Sequence, residues 1–293
     1  MIRACFGSRF PVQRATSGLL AIEELFCLYR FCPVLPRADH YSISHMLMND
    51  TNVKASEEKV FTTYERLAET LIVHGYRHNA LYIARKAVVD WDLLTSAGVK
   101  GKKVLNVGCF EPIDELHWAG LVGEWTAIDL SPNSIEVARR IVSAELSPEL
   151  VKKTRFEVMD AQQLSFPTGT FDVVVSFSVI DHIPDPAVRQ RAIAEMARVV
   201  RPGGHVIVTV PNRFSYYRLL YARNVRRGIT LDVGFQYFYS RWELRRSLIN
   251  AGLRVLRFTS DMRNVGDLPK ILRGALLPLA TFGDRMGYLA TKD

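Results

Sequence analysis

Between residues 103 and 212 the chain alternates two hydrophobic rhythms. Val104, Leu105 and Val107 form a short apolar run that stops at Gly108, and Ile113, Leu116, Trp118 and Leu121 then recur at roughly helical spacing. Trp125 to Ile128 is a second strand-like run, delivering Asp129, and Ile135, Val137 and Ala138 mark a helix behind it. Phe171 to Ser176 is almost purely apolar and rich in Val, the composition of a strand buried on both faces of a parallel sheet, and Val206 to Val210 repeats it. Arg201-Pro202-Gly203-Gly204 reads as a helix stop followed by a turn. Further on, Ser240 and Glu243 fit a capping box that opens a helix through Asn250, with a stop at Ala251-Gly252. Leu253 to Thr259 and 287–291 read as the sixth and seventh strands.

Strands alternating with helices predict an α/β fold with a doubly wound, mostly parallel seven-stranded sheet. The ligand of such a sheet lies outside the carboxyl ends of its strands, which gathers Gly108, Asp129, Asp160 and Ser178 around one crevice. The separation of Gly108 from Asp129 suits a turn that meets a ligand through its backbone, and an acid about 20 residues on that accepts hydrogen bonds from ribose hydroxyls. The spacing therefore points to a nucleoside-containing cofactor.

The pieces VLNVGC, AIDLSP, MDAQQLSFP, FDVVVSFSVIDHI and ARVVRPGGHVIV stand in one order across residues 100 to 212, with weaker likeness to about residue 260. Together they resemble the class I S-adenosylmethionine-dependent methyltransferases, in particular the small-molecule and lipid group. The resemblance implies a Rossmann-like fold whose last strand inserts antiparallel beside the fifth, S-adenosylmethionine as cofactor, and methyl transfer to a small-molecule or lipid-like acceptor. It places Asp129 on the ribose hydroxyls, Asp160 with Ala161 against the adenine, and Gly108 where backbone approaches the cofactor. Cys109, Leu130, Ser176 and Ser178 complete the implied cofactor-binding set; Asn106 either positions the amino-acid end of the cofactor or closes the turn.

The chain departs from the family in its first turn. The family pattern is acid-x-Gly-x-Gly-x-Gly, and here the run is Asn106-Val107-Gly108-Cys109-Phe110-Glu111-Pro112, which keeps only the first glycine. Either the loop takes another path and still binds, or the cofactor has been lost and the fold serves as a catalytically silent binding module. Asp181 and His182 follow the fourth strand, on the acceptor side in this group, and His182 suits a general base on an acceptor hydroxyl or a residue packing on the next helix. An RNA methyltransferase is a further alternative. A nicotinamide-dependent dehydrogenase is disfavoured by the absence of Gly-x-Gly-x-x-Gly.

Composition adjusts this picture at the two ends. With 293 residues, 48% hydrophobic and 23% charged, the chain suits one main domain with additions. It has no uninterrupted apolar run of transmembrane length. Cys5, Cys27, Cys32 and Cys109 form no C-x-x-C pair and no metal-ligand spacing with His, so no metal is expected and a reduced, cytoplasmic setting is the simplest reading. Cys109, in the cofactor turn, is a candidate reactive thiol. Residues 1–45 form an extension in which Arg3, Arg9 and Arg14 precede the first acid, Glu23. That pattern suits a mitochondrial transit peptide, or upstream sequence with Met46 or Met48 as the true start. Residues 46–100 read as capping helices over the acceptor pocket, and 101–293 as the methyltransferase domain with a basic insert at 211–239.

Charge concentrates near that insert. From Pro211 to Arg257 there are ten Arg, no Lys and two acids, an excess equal to the net charge of +8 on the whole chain. The Arg-aromatic run from Phe214 to Arg227 suits peripheral contact with an anionic membrane, with nucleic acid as the less favoured partner. Apolar 268–282, with two internal bases, favours a lipid-like acceptor over RNA.

Overall fold

The computed structural model describes residues 58–66, 68, 86–215, 218, 235–261 and 283–293. The chain divides into two units, Met1–His40 and Tyr41–Asp293, and the described residues all belong to the second. The expectations for the first 45 residues, for 69–85, for most of the Arg-aromatic run and for 268–282 lie outside the described residues.

Helix α1 covers residues 58–66. A π-helical turn, Ala87–Trp91, then leads into α2, Asp92–Ala97. The domain continues with β1 Lys103–Val107, α3 Ile113–Trp118, β2 Glu124–Asp129, α4 Pro132–Glu145, α5 Pro148–Lys153 and β3 Thr154–Val158. After these come β4 Phe171–Phe177, a 3-10 turn Ile180–His182, α6 Pro186–Val199, β5 Val200–Pro211, α7 Arg241–Asn250, β6 Leu253–Ser260 and β7 Arg285–Lys292. Helix starts follow local chemistry. Ser131 and Asp185 each accept a backbone N–H at an N-terminus with Pro in the first turn, and Ser240 with Glu243 forms the expected capping box.

All seven strands join one sheet in the order β3-β2-β1-β4-β5-β7-β6. The first five are parallel, and β7 runs antiparallel between β5 and β6. Successive residues of a strand face opposite sides, so each central strand feeds two cores. Leu105, Val174 and Val208 pack with Ile193 and Met196 of α6 and Leu244 and Leu248 of α7 on one face. Val104, Val173 and Ile207 pack with Leu93, Leu94, Trp118, Trp125 and Ile135 on the other. The long apolar runs of β4 and β5 follow from this burial on both sides.

Two local expectations are corrected. The helix expected to reach Leu121 stops at Trp118, and Leu121 is left 37% exposed, because its carbonyl accepts from the Gly101 N–H (2.8 Å) as the chain turns back into β2. Arg201-Pro202-Gly203-Gly204 is not a turn ahead of β5 but an irregularity inside it. Val200 pairs with Phe171 while His205 pairs with Val173, so the intervening residues bulge out of register. Gly204 permits the close approach, since a Cβ there would stand 2.7 Å from the Asp172 carbonyl oxygen.

Candidate functional site

The carboxyl ends of β1, β2 and β4 converge where the sequence expected a crevice. Gly108 closes β1 with φ +81, and a Cβ on it would lie 2.4 Å from the Val179 side chain, so the loops after β1 and β4 pack directly on each other. The Gly108 and Cys109 N–H groups donate to the Ile128 carbonyl (2.7 and 3.0 Å), folding the turn back along β2. Phe110 continues it with φ +35, and Ser178, at the end of β4, has φ +54. Among the described residues these two are the non-glycines with positive φ, a conformation that costs energy and clusters at ligand sites.

Asp129 stands at the centre of this arrangement. One carboxylate oxygen accepts from the Phe110 N–H and the other from the Ser131 N–H, each at 3.0 Å. The turn that lost its later glycines is thus held by the acid it must present. Desolvation raises the Asp129 carboxyl above its ordinary value; the N–H bonds of Ser131 and Phe110 oppose this and the charge of Glu65 adds to it. Beside it Leu130 is 53% and Val158 51% exposed, an apolar ledge at the ends of β2 and β3. An oriented carboxylate with lone pairs to spare, flanked by an apolar ledge, fits a ribose diol and a flat base. Asp160 and Ala161 lie partly exposed past β3, and both Asp160 oxygens already accept from Gln162, from its N–H (2.9 Å) and its side-chain amide (2.7 Å).

Other members of the expected cofactor set are turned inward. Asn106 is 2% exposed and its amide donates to Glu115 (2.8 Å), which also accepts from the Trp125 indole N–H (2.8 Å). Asn106 thus ties β1 to α3 beneath the turn. Burial, reinforced by neighbouring Asp114, pushes the Glu115 carboxyl up to about 7. Ser176 is fully buried with a hydroxyl that has no hydrogen-bond partner among the described residues. Cys109 is buried, and burial, with Asp129 and Glu115 nearby, raises its thiol well above the ordinary range. The thiolate is the nucleophile, and burial disfavours it here.

On the acceptor side the 3-10 turn after β4 is pinned from two directions. Arg189 of α6 donates to the carbonyls of Ile183 (2.7 Å) and Pro184 (2.9 Å) and lies over the Tyr237 ring. Asp181 is fully buried: its backbone carbonyl accepts from the Tyr237 N–H (2.7 Å) and its carboxylate from the Gln236 amide (2.9 Å). It docks the end of the insert, and its carboxylate also stands 3.6 Å from His182 Nε2. His182 stays partly exposed. Its Nδ1 lies 2.9 Å from the Phe235 carbonyl oxygen, which can only accept, so Nδ1 carries the proton and Nε2 the lone pair in the neutral ring. The Tyr64 hydroxyl, 3.0 Å away, donates to Nε2. Tyr64 comes from α1, whose Glu65 reaches Ser131 Oγ and the Asn133 N–H, so this helix crosses the crevice.

Tyr64, Glu115, Arg189, Phe235 and Gln236 carry much of this geometry and were not foreseen. Their partners are up to 118 residues distant, and no local pattern marks them. The described part of the Arg-aromatic run includes Phe214, 42% exposed and edge-on to the exposed Trp242.

Residues 105–208 match the family described as a methyltransferase domain. The ubiquinone biosynthesis O-methyltransferase of Thiobacillus denitrificans is 32% identical over 184 residues, covering 61% of this chain and 75% of that protein. The chain belongs to the class I S-adenosylmethionine-dependent methyltransferases. The protein of the same name from Aromatoleum aromaticum is 33% identical over 126 residues, so this methyltransferase covers 43% of its own length and half of that relative's in the match. Magnesium protoporphyrin IX methyltransferase from Synechocystis PCC 6803, solved with SAH bound, shares the fold at a TM-score of 0.58 and 14% identity, covering 81% of this chain and 100% of that one. The methyl donor of this methyltransferase is S-adenosylmethionine, and the Asp129 carboxylate with its apolar ledge fits that molecule's nucleoside. Among the described residues no cluster of His, Cys, Asp and Glu could hold a metal ion, and no helix is long and apolar enough to cross a membrane.

Proposed function

We propose that this methyltransferase methylates a hydroxyl of a small-molecule or lipid-like acceptor, with His182 as the base. The observation that carries the proposal is the state of the His182 ring: Nδ1–H donates to the Phe235 carbonyl, which leaves the Nε2 lone pair free to accept from the hydroxyl that lies against it (3.0 Å). The O-methyltransferase relatives support oxygen as the acceptor atom, and the words "ubiquinone biosynthesis" in their name support a lipid-like acceptor.

S-adenosylmethionine supplies a methyl group on a sulfonium centre. Asp129 would hold the ribose, Leu130 and Val158 would bracket the base with Asp160 and Ala161 at its edge, and Gly108 would let backbone approach the remainder. The chain's own work is then alignment and the exclusion of water, by α1 above and the 235–239 segment beside the site. His182 Nε2 takes the proton that the acceptor hydroxyl gives up. Asp181 would support the base twice, through the 3-10 turn whose position it fixes and through a carboxylate 3.6 Å from Nε2, which favours the charged imidazolium that forms.

Asp129→Ala tests the cofactor side. It removes the ribose acceptor and frees the Phe110 and Ser131 N–H groups. Binding of S-adenosylmethionine should weaken by about 2 kcal/mol, roughly 30-fold, by titration calorimetry, the scale of a hydrogen bond to a charged group. Unchanged affinity would remove Asp129 from the site and the proposal with it.

A further inference from the structure

Glu115 is a buried carboxylate that neither holds the ribose nor meets the acceptor. It lies fully buried on α3, and one of its oxygens accepts from the Asn106 amide and the Trp125 indole N–H, both at 2.8 Å. Its other oxygen has no hydrogen-bond partner among the described residues, and neither has the carbonyl oxygen of the same Asn106 amide. No ion pair reaches Glu115 among the described residues; Lys86 stands against Asp114 (2.9 Å) and Asp90 (3.2 Å). A buried acid in this condition costs stability and calls for an explanation. Asn106 precedes Gly108 by two residues, so Glu115 sits one hydrogen bond beneath the turn whose backbone would approach the cofactor.

S-adenosylmethionine carries one positive charge more than S-adenosylhomocysteine, the product left after transfer. Nucleoside, ammonium and carboxylate are common to both, and only the donor has a charged sulfur. We infer that Glu115 tells the two apart, ionised against the sulfonium of the donor and protonated once the sulfur is neutral. That role depends on the cofactor side of the site alone, and not on the acceptor or on His182. Burial, with Asp114 beside it, holds the free carboxyl at about 7, so a cation arriving nearby shifts the balance towards the charged form. At an effective dielectric of about 20 a unit charge still exerts about a tenfold effect at roughly 12 Å, so direct contact is not required. The surrounding groups leave this balance to the donor. Asp114 shares the helix and is engaged by Lys86, Asp129 ends the neighbouring strand, and burial keeps the Cys109 thiol protonated. His117 lies on the outer side of α3, stacked on Trp91, and the buried face of α4 carries no charge.

Titration calorimetry of the whole protein with the two ligands tests this. Glu115→Gln keeps a carbonyl oxygen to accept from Asn106 and Trp125 and loses only the charge. At pH 8 it should bind S-adenosylmethionine about tenfold more weakly than the wild type does, and S-adenosylhomocysteine with unchanged affinity. At pH 5 the wild-type carboxyl is largely protonated with or without ligand, and the two proteins should bind the donor almost alike. A tenfold preference lowers the carboxyl from about 7 to about 6 in the complex, so wild-type affinity for the donor should climb as pH rises between those values. Up to about half a proton should then leave Glu115 for each donor bound at about pH 6.5. Titrations in buffers of different ionisation enthalpy count that proton in the wild type, with no substitution needed, and S-adenosylhomocysteine should release less.

Equal weakening of both ligands in Glu115→Gln would show a purely structural role and overturn the inference, as would an unchanged preference for the donor. A pH-dependent preference that persists in the variant belongs to another group, His182 among them, and overturns it too. Failure of the wild type to bind either ligand sinks the proposed role of Asp129 along with that of Glu115. Binding of both ligands with the same dependence on pH in wild type and variant sinks the role of Glu115 alone.

Discussion

Lys86→Met is expected to cost about 3 kcal/mol of stability, at the lower end of what is lost when one partner is removed from a buried ion pair. Lys86 is 4% exposed, and its ammonium lies 3.2 Å from Asp90 and 2.9 Å from Asp114, both buried. Asp90 keeps Arg285 (2.8 Å) and Asp114 keeps the Trp91 indole N–H (2.9 Å), but neither is then fully compensated. Urea denaturation gives the loss, and pairing the change with Asp114→Asn tests its cause. The double variant should be more stable than the sum of the single changes predicts, because the second change removes the carboxylate left bare by the first. Strict additivity would show that the two groups do not interact. The network joins the segment before α2, the start of α3 and the start of β7, so it braces the end of the sheet at which the crevice opens.

The second large effect depends on pH and comes from Glu115. Its carboxyl is raised from an ordinary value of 4.5 to about 7 by burial and by Asp114. Because the folded value is the higher one, folding favours the protonated acid. That contribution is complete below about pH 4.5 and is lost as pH rises through about 7. The shift corresponds to about 3 kcal/mol of penalty at pH 8 relative to pH 4. Glu115→Gln retains a carbonyl oxygen to accept from Asn106 and Trp125 and carries no charge at any pH. It should therefore stabilise the protein by about 3 kcal/mol at pH 8 and by little at pH 4, in parallel unfolding curves. Equal effects at both pH values would show that the carboxyl is not held out of water in the folded state.

The framework of the fold was legible in the sequence because it depends on local patterns. Val-rich runs gave β4 and β5, the Ser240–Glu243 pair gave the start of α7, and the separation of Gly108 from Asp129 gave the meeting of the turn after β1 with the acid that ends β2. The antiparallel seventh strand came only from the family resemblance, since 285–292 carries no mark of its direction. Arg201 to Gly204 misled for a physical reason: Pro and two Gly serve a turn or a bulge equally well, and only pairing with β4 decides. At the site, Asn106 was weighed against a missing carboxylate on the same strand, while the carboxylate it meets belongs to α3. Asp181 and His182 are adjacent in sequence and their side chains meet at 3.6 Å, but Asp181 is fully buried against the packed segment while His182 stays partly exposed. Tyr64 was invisible as a site residue because its partners, Phe110 and His182, belong to distant loops.

The placement of β7 sets an order on how the chain can be completed during synthesis. Strands β5 and β6 both pair with β7, and among the described residues β6 has no other neighbour in the sheet. Of the sheet strands β7 emerges last from the ribosome, so β5 waits with one side unpaired and β6 with both until it arrives. Unpaired strand edges recruit other chains. A message truncated anywhere between the codons for Ser260 and Arg285 would leave both strands in that condition for good, with the five-stranded parallel half already built beside them.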